Sequence, residues 1–231
     1  MNALECKAYL ERIGYQEEPH TDKDCLEKLM ELQLQSVPFE NLEVFKEKRV
    51  PSLKTEDIFH KIVHQGRGGY CFELNKIFYE LLKGLGFDVT PLAIRMLWSP
   101  DDFRRILHRA TMVVLEDGPY YCDVGYGGPG PRYPVKLEDG LHTEKNGSFR
   151  VTMEPQDTNG EILMERKQDG EYRPLMSFTL RRMSISKSLT TTARPRRTCG
   201  LRKKRRSAST RPREASRLPE TRSPSRRKTT A

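Results

Sequence analysis

No aromatic residue follows Phe178 in a chain of 231 residues. All 9 Phe, all 9 Tyr and Trp98 lie at or before that position. The last 51 residues, 181–231, hold 18 Lys or Arg, 16 Ser or Thr and only 2 acidic residues. A segment of that kind has too little apolar surface to offset the entropy of ordering it, so its composition predicts disorder. The charge changes sign at the same place. The chain as a whole is +9, yet residues 1–180 are net acidic at −7. Only those first 180 residues can build a core. A body of that size buries about 70% of the surface its unfolded chain exposes, enough to enclose an active site.

Several classes are excluded at once. No stretch approaches the ~20 apolar residues of a membrane span, and MNALECKAYLERIGY lacks the basic-then-apolar layout of a secretion signal. The five cysteines (Cys6, Cys25, Cys71, Cys122 and Cys199) are scattered, odd in number and without a CxxC pair. That argues against a disulfide framework or a structural zinc site and for a reducing cytoplasm, with no metal expected. The run Arg202 to Arg206 would attract phosphates in a salt-dependent, non-specific way, and no interleaved aromatic is available to stack on bases. The Arg/Ser/Thr/Pro bias beyond about residue 180 also reads as translation in a shifted frame.

Periodicity divides the body in two. Residues 1–86 read as a helical bundle. A short helix ends at Gly14, and a second runs from Asp24 to the break at Val37-Pro38. A third carries Ile58, Phe59, Ile62 and Val63, with Thr55 as its cap. A fourth runs from about Cys71 to Lys83 and stops at Gly84 and Gly86. Residues 87–180 change to a period of two. Strands are predicted at Val89–Trp98, His108–Leu115, Tyr120–Val124, Phe149–Met153 and Ile162–Arg166, with a turn at 116–119. Short strands in meander order predict a small antiparallel barrel or curled sheet, and hence an α+β fold. His60 and His64 stand i, i+4 but lack an HExxH pattern, so they read as solvated residues of a helix face.

The stretch that carries chemistry is Arg67-Gly-Gly-Tyr-Cys71-Phe-Glu73-Leu-Asn75. Two glycines permit a tight turn before a helix and leave Cys71 in its first turn, where unpaired N–H groups and the helix dipole favour a thiolate. A lone cysteine at a helix start is more often a small buried thiol. Partners change that balance. His108 heads a strand and can take the thiol proton; Asp123, on the next strand, can orient and charge-stabilise the ring. With the turn near Asp117, ladder arithmetic places residue 126 opposite His108, so a bulge near Gly125 or a longer loop must bring Asp123 to it. Arg67 and Glu73 are expected to tie the nucleophile's turn to its neighbours.

RGGYCFELN resembles the active-site signature of the arylamine N-acetyltransferases. SVPFENLEVF upstream and HRATMVV…YYCDVGYGG downstream resemble that family's other blocks in order and spacing, over about residues 3–180. The resemblance implies Cys71 as acetyl-accepting nucleophile, His108 as base and Asp123 as orienting acid. It places Phe39 in the amine pocket, and Trp98, Gly127 and Gly128 at the acetyl-coenzyme A cleft. It implies ping-pong acetyl transfer from acetyl-coenzyme A, a co-substrate and not a tightly bound cofactor, to aromatic amines, hydroxylamines or hydrazines. It also implies a cysteine-protease-like core, a β-barrel and a third α/β domain closing over the cofactor. Here the third domain is expected to be missing, replaced by the basic tail, with impaired turnover and stability. A transglutaminase-like acyl transferase and an inactive basic nucleic-acid-binding protein are the alternatives.

Overall fold

In a computed structural model, residues 1–97, 106–153 and 161–180 are described. Trp98 and the segment 181–231 lie outside them, as do the expectations placed on them.

Among the described residues five α-helices come first: α1 (Ala3–Ile13), α2 (Lys23–Ser36), α3 (Leu42–Phe45), α4 (Thr55–Phe59) and α5 (Cys71–Gly84). Local chemistry sets their ends. Asn2 Oδ1 accepts the Glu5 N–H and Glu5 returns the bond to the Asn2 N–H, a reciprocal cap. Gly14 ends α1 in the left-handed region at φ 77°. Asp22 caps α2 through the Cys25 N–H. Thr55 is not a cap: Lys54 occupies that position without a side-chain bond, and Thr55 is already the first helical residue. The helix it opens continues as one wide π-helical turn, His60–His64, a feature that leaves no mark on an apolar stripe. His60 and His64 are both exposed. The Arg12 guanidinium donates to the carbonyls of Ser36, Ile62 and Gly66 and ties α1 to two other helix ends. No helix among the described residues is long and apolar enough to cross a membrane.

Eight strands follow among the described residues: β1 (Asp88–Met96), β2 (Ile106–Leu115), β3 (Gly118–Cys122), β4 (Val135–Lys136), β5 (Gly140–Glu144), β6 (Gly147–Thr152), β7 (Ile162–Gln168) and β8 (Glu171–Phe178). They pair antiparallel in the order β4-β3-β2-β1-β8-β7-β6-β5. Two meanders are thus joined through β1 and β8, which pair at Arg95↔Ser177 and Met96↔Met176, with Leu97 N–H donating to the Leu175 carbonyl at 3.0 Å. Strands from both halves share one apolar cluster, including Leu92, Val135, Phe149, Met164 and Phe178, so the sheet curls over itself. Among the described residues no pairing joins β4 to β5, which leaves it short of a closed barrel.

Strands β4, β5 and β8 are absent from the sequence-based reading. Two residues are too few to show a period, and β5 (GLHTE) is mostly polar with Leu141 exposed. In β8 the register slips across Pro174 and Leu175, a bulge that breaks the alternation of the strand.

The two halves share a core. Along β2 and β3 alternate residues point opposite ways. Val113, Tyr120 and Cys122 pack with Leu74, Phe78 and Leu82 of the helices, while Ala110 and Tyr121 join the apolar interior of the sheet. Helix α5 is therefore seated on β2 and β1, and its first residue is held beside the loop that follows β3.

Candidate active site

Tight chain crossings create the start of α5. Gly69 N–H donates to the Pro38 carbonyl at 3.3 Å, and Glu40 N–H donates to the Gly69 carbonyl at 2.9 Å. This bridge pins the segment before Cys71 to the block containing Phe39. A Cβ on Gly68 would overlap the Pro38 carbonyl oxygen. Gly68→Ala is accordingly expected to break the bridge and cost about 2–3 kcal/mol, read by urea unfolding.

Behind the turn lies a buried ionic cluster. Lys61 Nζ donates to Glu73 Oε1 at 2.9 Å and Oε2 at 3.1 Å, and sits 3.2 Å from Glu43. Glu73 Oε2 also accepts the Tyr70 N–H at 3.1 Å, fixing the residue before Cys71. Arg67 closes the cluster on Glu40 at 2.7 Å and Glu43 at 3.4 Å. Burial pushes the Glu73 carboxyl above its ordinary range, against the pull of Lys61 and the Tyr70 N–H. The expected tying role of Arg67 and Glu73 matches this geometry.

Cys71 itself is part-buried, whereas Cys6, Cys25 and Cys122 are buried. His108 and Asp123 are both buried, and His108 Nε2 lies 2.6 Å from Asp123 Oδ2. The Cys71 sulfur is near enough to act on the charge of the imidazole. Of the three side chains singled out in the sequence, His108 and Asp123 are in direct contact, and Cys71 stands at the helix start near them. Burial alone would lower the His108 pKa. The charge and hydrogen bond of Asp123, with the Cys71 thiol, outweigh it and raise the pKa to about 10. Burial pushes Asp123 the other way, but His108, Asn75 and the Gly125 N–H hold it below the usual carboxylate range. Both shifts point to a charged imidazolium–carboxylate pair.

The mismatch in ladder arithmetic is resolved by β3 stopping early. The β2–β3 register runs from Leu115↔Gly118 to Thr111↔Cys122 and ends there. Asp123 then turns out of the ladder, with Gly125 N–H donating back to its Oδ1 at 2.9 Å. On its other edge β2 carries one extra residue, Leu107, where the β1 register slips between Ile94↔His108 and Arg95↔Ile106. The bulge is beside His108, not near Gly125.

The sequence motif assigns Asn75 no role, and the structure gives it a central one. Its Nδ2 donates to Asp123 Oδ1 at 2.8 Å and to the Arg109 carbonyl at 2.6 Å, and its Oδ1 accepts the Val124 N–H at 3.0 Å. One amide thus binds α5 to β2 and to the loop after β3. An asparagine one turn after Cys71 on an otherwise apolar helix face was the available signal, because a mid-helix Asn is disfavoured unless its amide finds partners. Gly125 was also missed as a site residue. A Cβ there would stand 2.8 Å from Asn75 Nδ2 and 3.1 Å from Cys71 Cα, so the loop passes hard against the nucleophile.

A cavity of about 370 Å³ opens next to Asp123, lined by Pro38, Phe39, Tyr126, Gly127 and Gly128 among others. Phe39 remains 44% exposed, its ring laid against Gly127. Gly127 has φ 69°, and a Cβ there would meet that ring at 2.8 Å. The structure thus brings Phe39, Gly127 and Gly128 to one pocket. The Tyr126 ring stands edge-on to His108 at 5.8 Å.

A family model described as N-acetyltransferase matches residues 22–193. An arylamine N-acetyltransferase of Mycolicibacterium smegmatis is 33% identical over 183 residues, covering 77% of this chain and 65% of the relative. Among solved structures, the arylamine N-acetyltransferase from Salmonella typhimurium superposes with a TM-score of 0.75 at 26% identity, over 84% of this chain and 69% of that one. The Mycobacterium marinum arylamine N-acetyltransferase in complex with CoA superposes with a TM-score of 0.71 at 28% identity, over 82% and 70%. The chain thus spans about two thirds of the length of the relatives it matches.

Proposed function

This chain belongs to the arylamine N-acetyltransferase family, and from that premise we propose that it transfers an acetyl group from acetyl-coenzyme A to an aromatic amine, hydroxylamine or hydrazine by way of acetyl-Cys71. The observation that carries the reading is the 2.6 Å contact of His108 with Asp123, both buried beside a part-buried cysteine at a helix start.

The chemistry follows from those groups. With Nε2 engaged by Asp123, Nδ1 is the ring nitrogen left for the sulfur. The Cys71 thiolate attacks the thioester carbonyl and forms a carbon–sulfur bond. The coenzyme A sulfur departs with its electron pair, and imidazolium gives it a proton. In the second half, the amine nitrogen attacks the acetyl-cysteine carbonyl. His108 takes a proton from nitrogen and Cys71 leaves as thiolate. As the first residue of α5, Cys71 has a backbone N–H that no helix carbonyl accepts, and this N–H is available to the oxyanion. Phe39 and Tyr126 line the cavity beside Asp123 and offer aromatic faces to an aryl amine. Gly127 and Gly128, exposed at the rim of the same cavity, are where we place the coenzyme A side of the site.

Incubation with acetyl-coenzyme A alone, followed by digestion and mass spectrometry, is expected to add one acetyl group to the Cys71 peptide. Subsequent addition of an aniline should remove it and release the acetylated amine. Acetylation elsewhere, or acceptance of a glutamine peptide in place of acetyl-coenzyme A, would overturn the reading.

A further inference from the structure

Asp123 does not serve His108 alone. Its Oδ2 accepts His108 Nε2 at 2.6 Å and, on the same oxygen, the Tyr121 hydroxyl at 2.7 Å. Tyr121 is fully buried on β3, with its ring stacked on Phe178 at 5.3 Å and its oxygen 3.1 Å from Met176 Sδ. Packing explains the ring, which a phenylalanine would supply equally well. It does not explain the hydroxyl. A buried O–H is costly unless it is partnered, and its strong partner here is the charged oxygen that faces the imidazole.

A hydrogen bond donated to a carboxylate oxygen stabilises the charge on that oxygen, which then attracts a neighbouring cation less strongly. We propose that Tyr121 is a positioning and tuning residue for acetyl transfer: by sharing Asp123 Oδ2 with His108, its hydroxyl fixes that oxygen and moderates the hold of the carboxylate on the imidazolium proton. The inference rests on the acetyl-transfer reading for its functional meaning. The other groups facing the pair are Cys71 and Asn75 from α5, Cys122 from β3, and Tyr126 from the loop after it. From β1 and β8 come Ile94, opposite His108, and Met176, neither of them charged. Burial, then the charge of Asp123, pushes the Tyr121 hydroxyl well above its ordinary pKa, so it stays a donor throughout the working range.

The test follows the His108 ring by NMR of protein labelled with 15N-histidine, titrated through the alkaline range. Tyr121→Phe is expected to move the ring's titration upward by about half a unit to one unit, since the freed oxygen binds the imidazolium proton more tightly. Met176→Leu, which leaves the Tyr121–Asp123 bond in place, is expected to leave the titration where it is. An unmoved titration in Tyr121→Phe, or an equal shift in Met176→Leu, would overturn the proposal in favour of plain core packing. Should Tyr121→Phe not fold, fluorotyrosine at position 121 is a stronger donor, and the shift should reverse sign; no shift there overturns it too. Acetylation of Cys71 is measured on the same samples. A wild-type chain that never acetylates removes the acetyl-transfer reading, while the ring titration still decides whether the hydroxyl acts on His108.

Discussion

Replacing Asp123 with asparagine is expected to slow acetylation of Cys71 by about 10⁴-fold, the order seen when a triad carboxylate is neutralised without a change of shape. Asp123 accepts four hydrogen bonds, from Asn75 and Gly125 on Oδ1 and from His108 and Tyr121 on Oδ2. Asparagine has one accepting oxygen and one donating nitrogen. Turned one way, its NH₂ meets the Asn75 and Gly125 donors, and the loop is pushed off α5. Turned the other way, it meets His108, and Nε2 must accept. The ring proton then sits on Nδ1, the nitrogen needed for the thiol. Burial also lowers the His108 pKa once the opposing carboxylate charge is gone. Rapid-quench mass spectrometry of acetyl-Cys71, with circular dichroism to verify the fold, measures the effect. A loss smaller than about tenfold would remove Asp123 from the mechanism.

Lys61→Met is expected to lower stability by about 3–5 kcal/mol, with little change in the volume of the side chain. Glu73 and Glu43 are buried, at 2% and 7% exposure, and Lys61 Nζ is within 3.2 Å of both. Without it, two carboxylates face each other in a desolvated site with the Arg67 and Arg49 guanidiniums on the Glu43 side only. The Glu73 carboxyl already lies above its ordinary range because of burial, and loss of Lys61 raises it further. A carboxyl whose folded pKa exceeds its unfolded one binds more protons when folded, so it gains stability as pH falls. The deficit of the variant should therefore be greatest at neutral and alkaline pH and shrink as pH drops towards the carboxylate range. Urea unfolding across that range checks this. A second change, Glu73→Gln on top of Lys61→Met, should recover much of the loss, because the unpaired charge is gone.

The sequence-based reading succeeded where an element is long and apolar on one side. The stripes of α2 and α5 place Leu26, Leu29, Met30, Leu74, Ile77 and Leu81 in the core, as their spacing requires. It failed where structure is set by contacts instead of pattern. Thr55 has the chemistry of a cap but sits one residue inside the helix. Helix α3 is a single turn, and β4 has two residues. Pro174 and the register slip beside it interrupt the alternation of β8.

The site divides along the same line. Cys71 at a helix start, two glycines before it, and a histidine and an aspartate on following strands are all visible in one dimension, because each depends on its near neighbours. The residues that make these three a unit are not. Asn75 reaches Asp123 across 48 positions, Lys61 reaches Glu73 across the turn, and Tyr121 shares an oxygen with His108 only because β3 ends at Cys122. Chain composition and periodicity determined which residues could be buried and which elements they form. Tertiary structure decided which buried polar groups meet, because that depends on where a ladder stops and a helix lands, and no local pattern carries those distances.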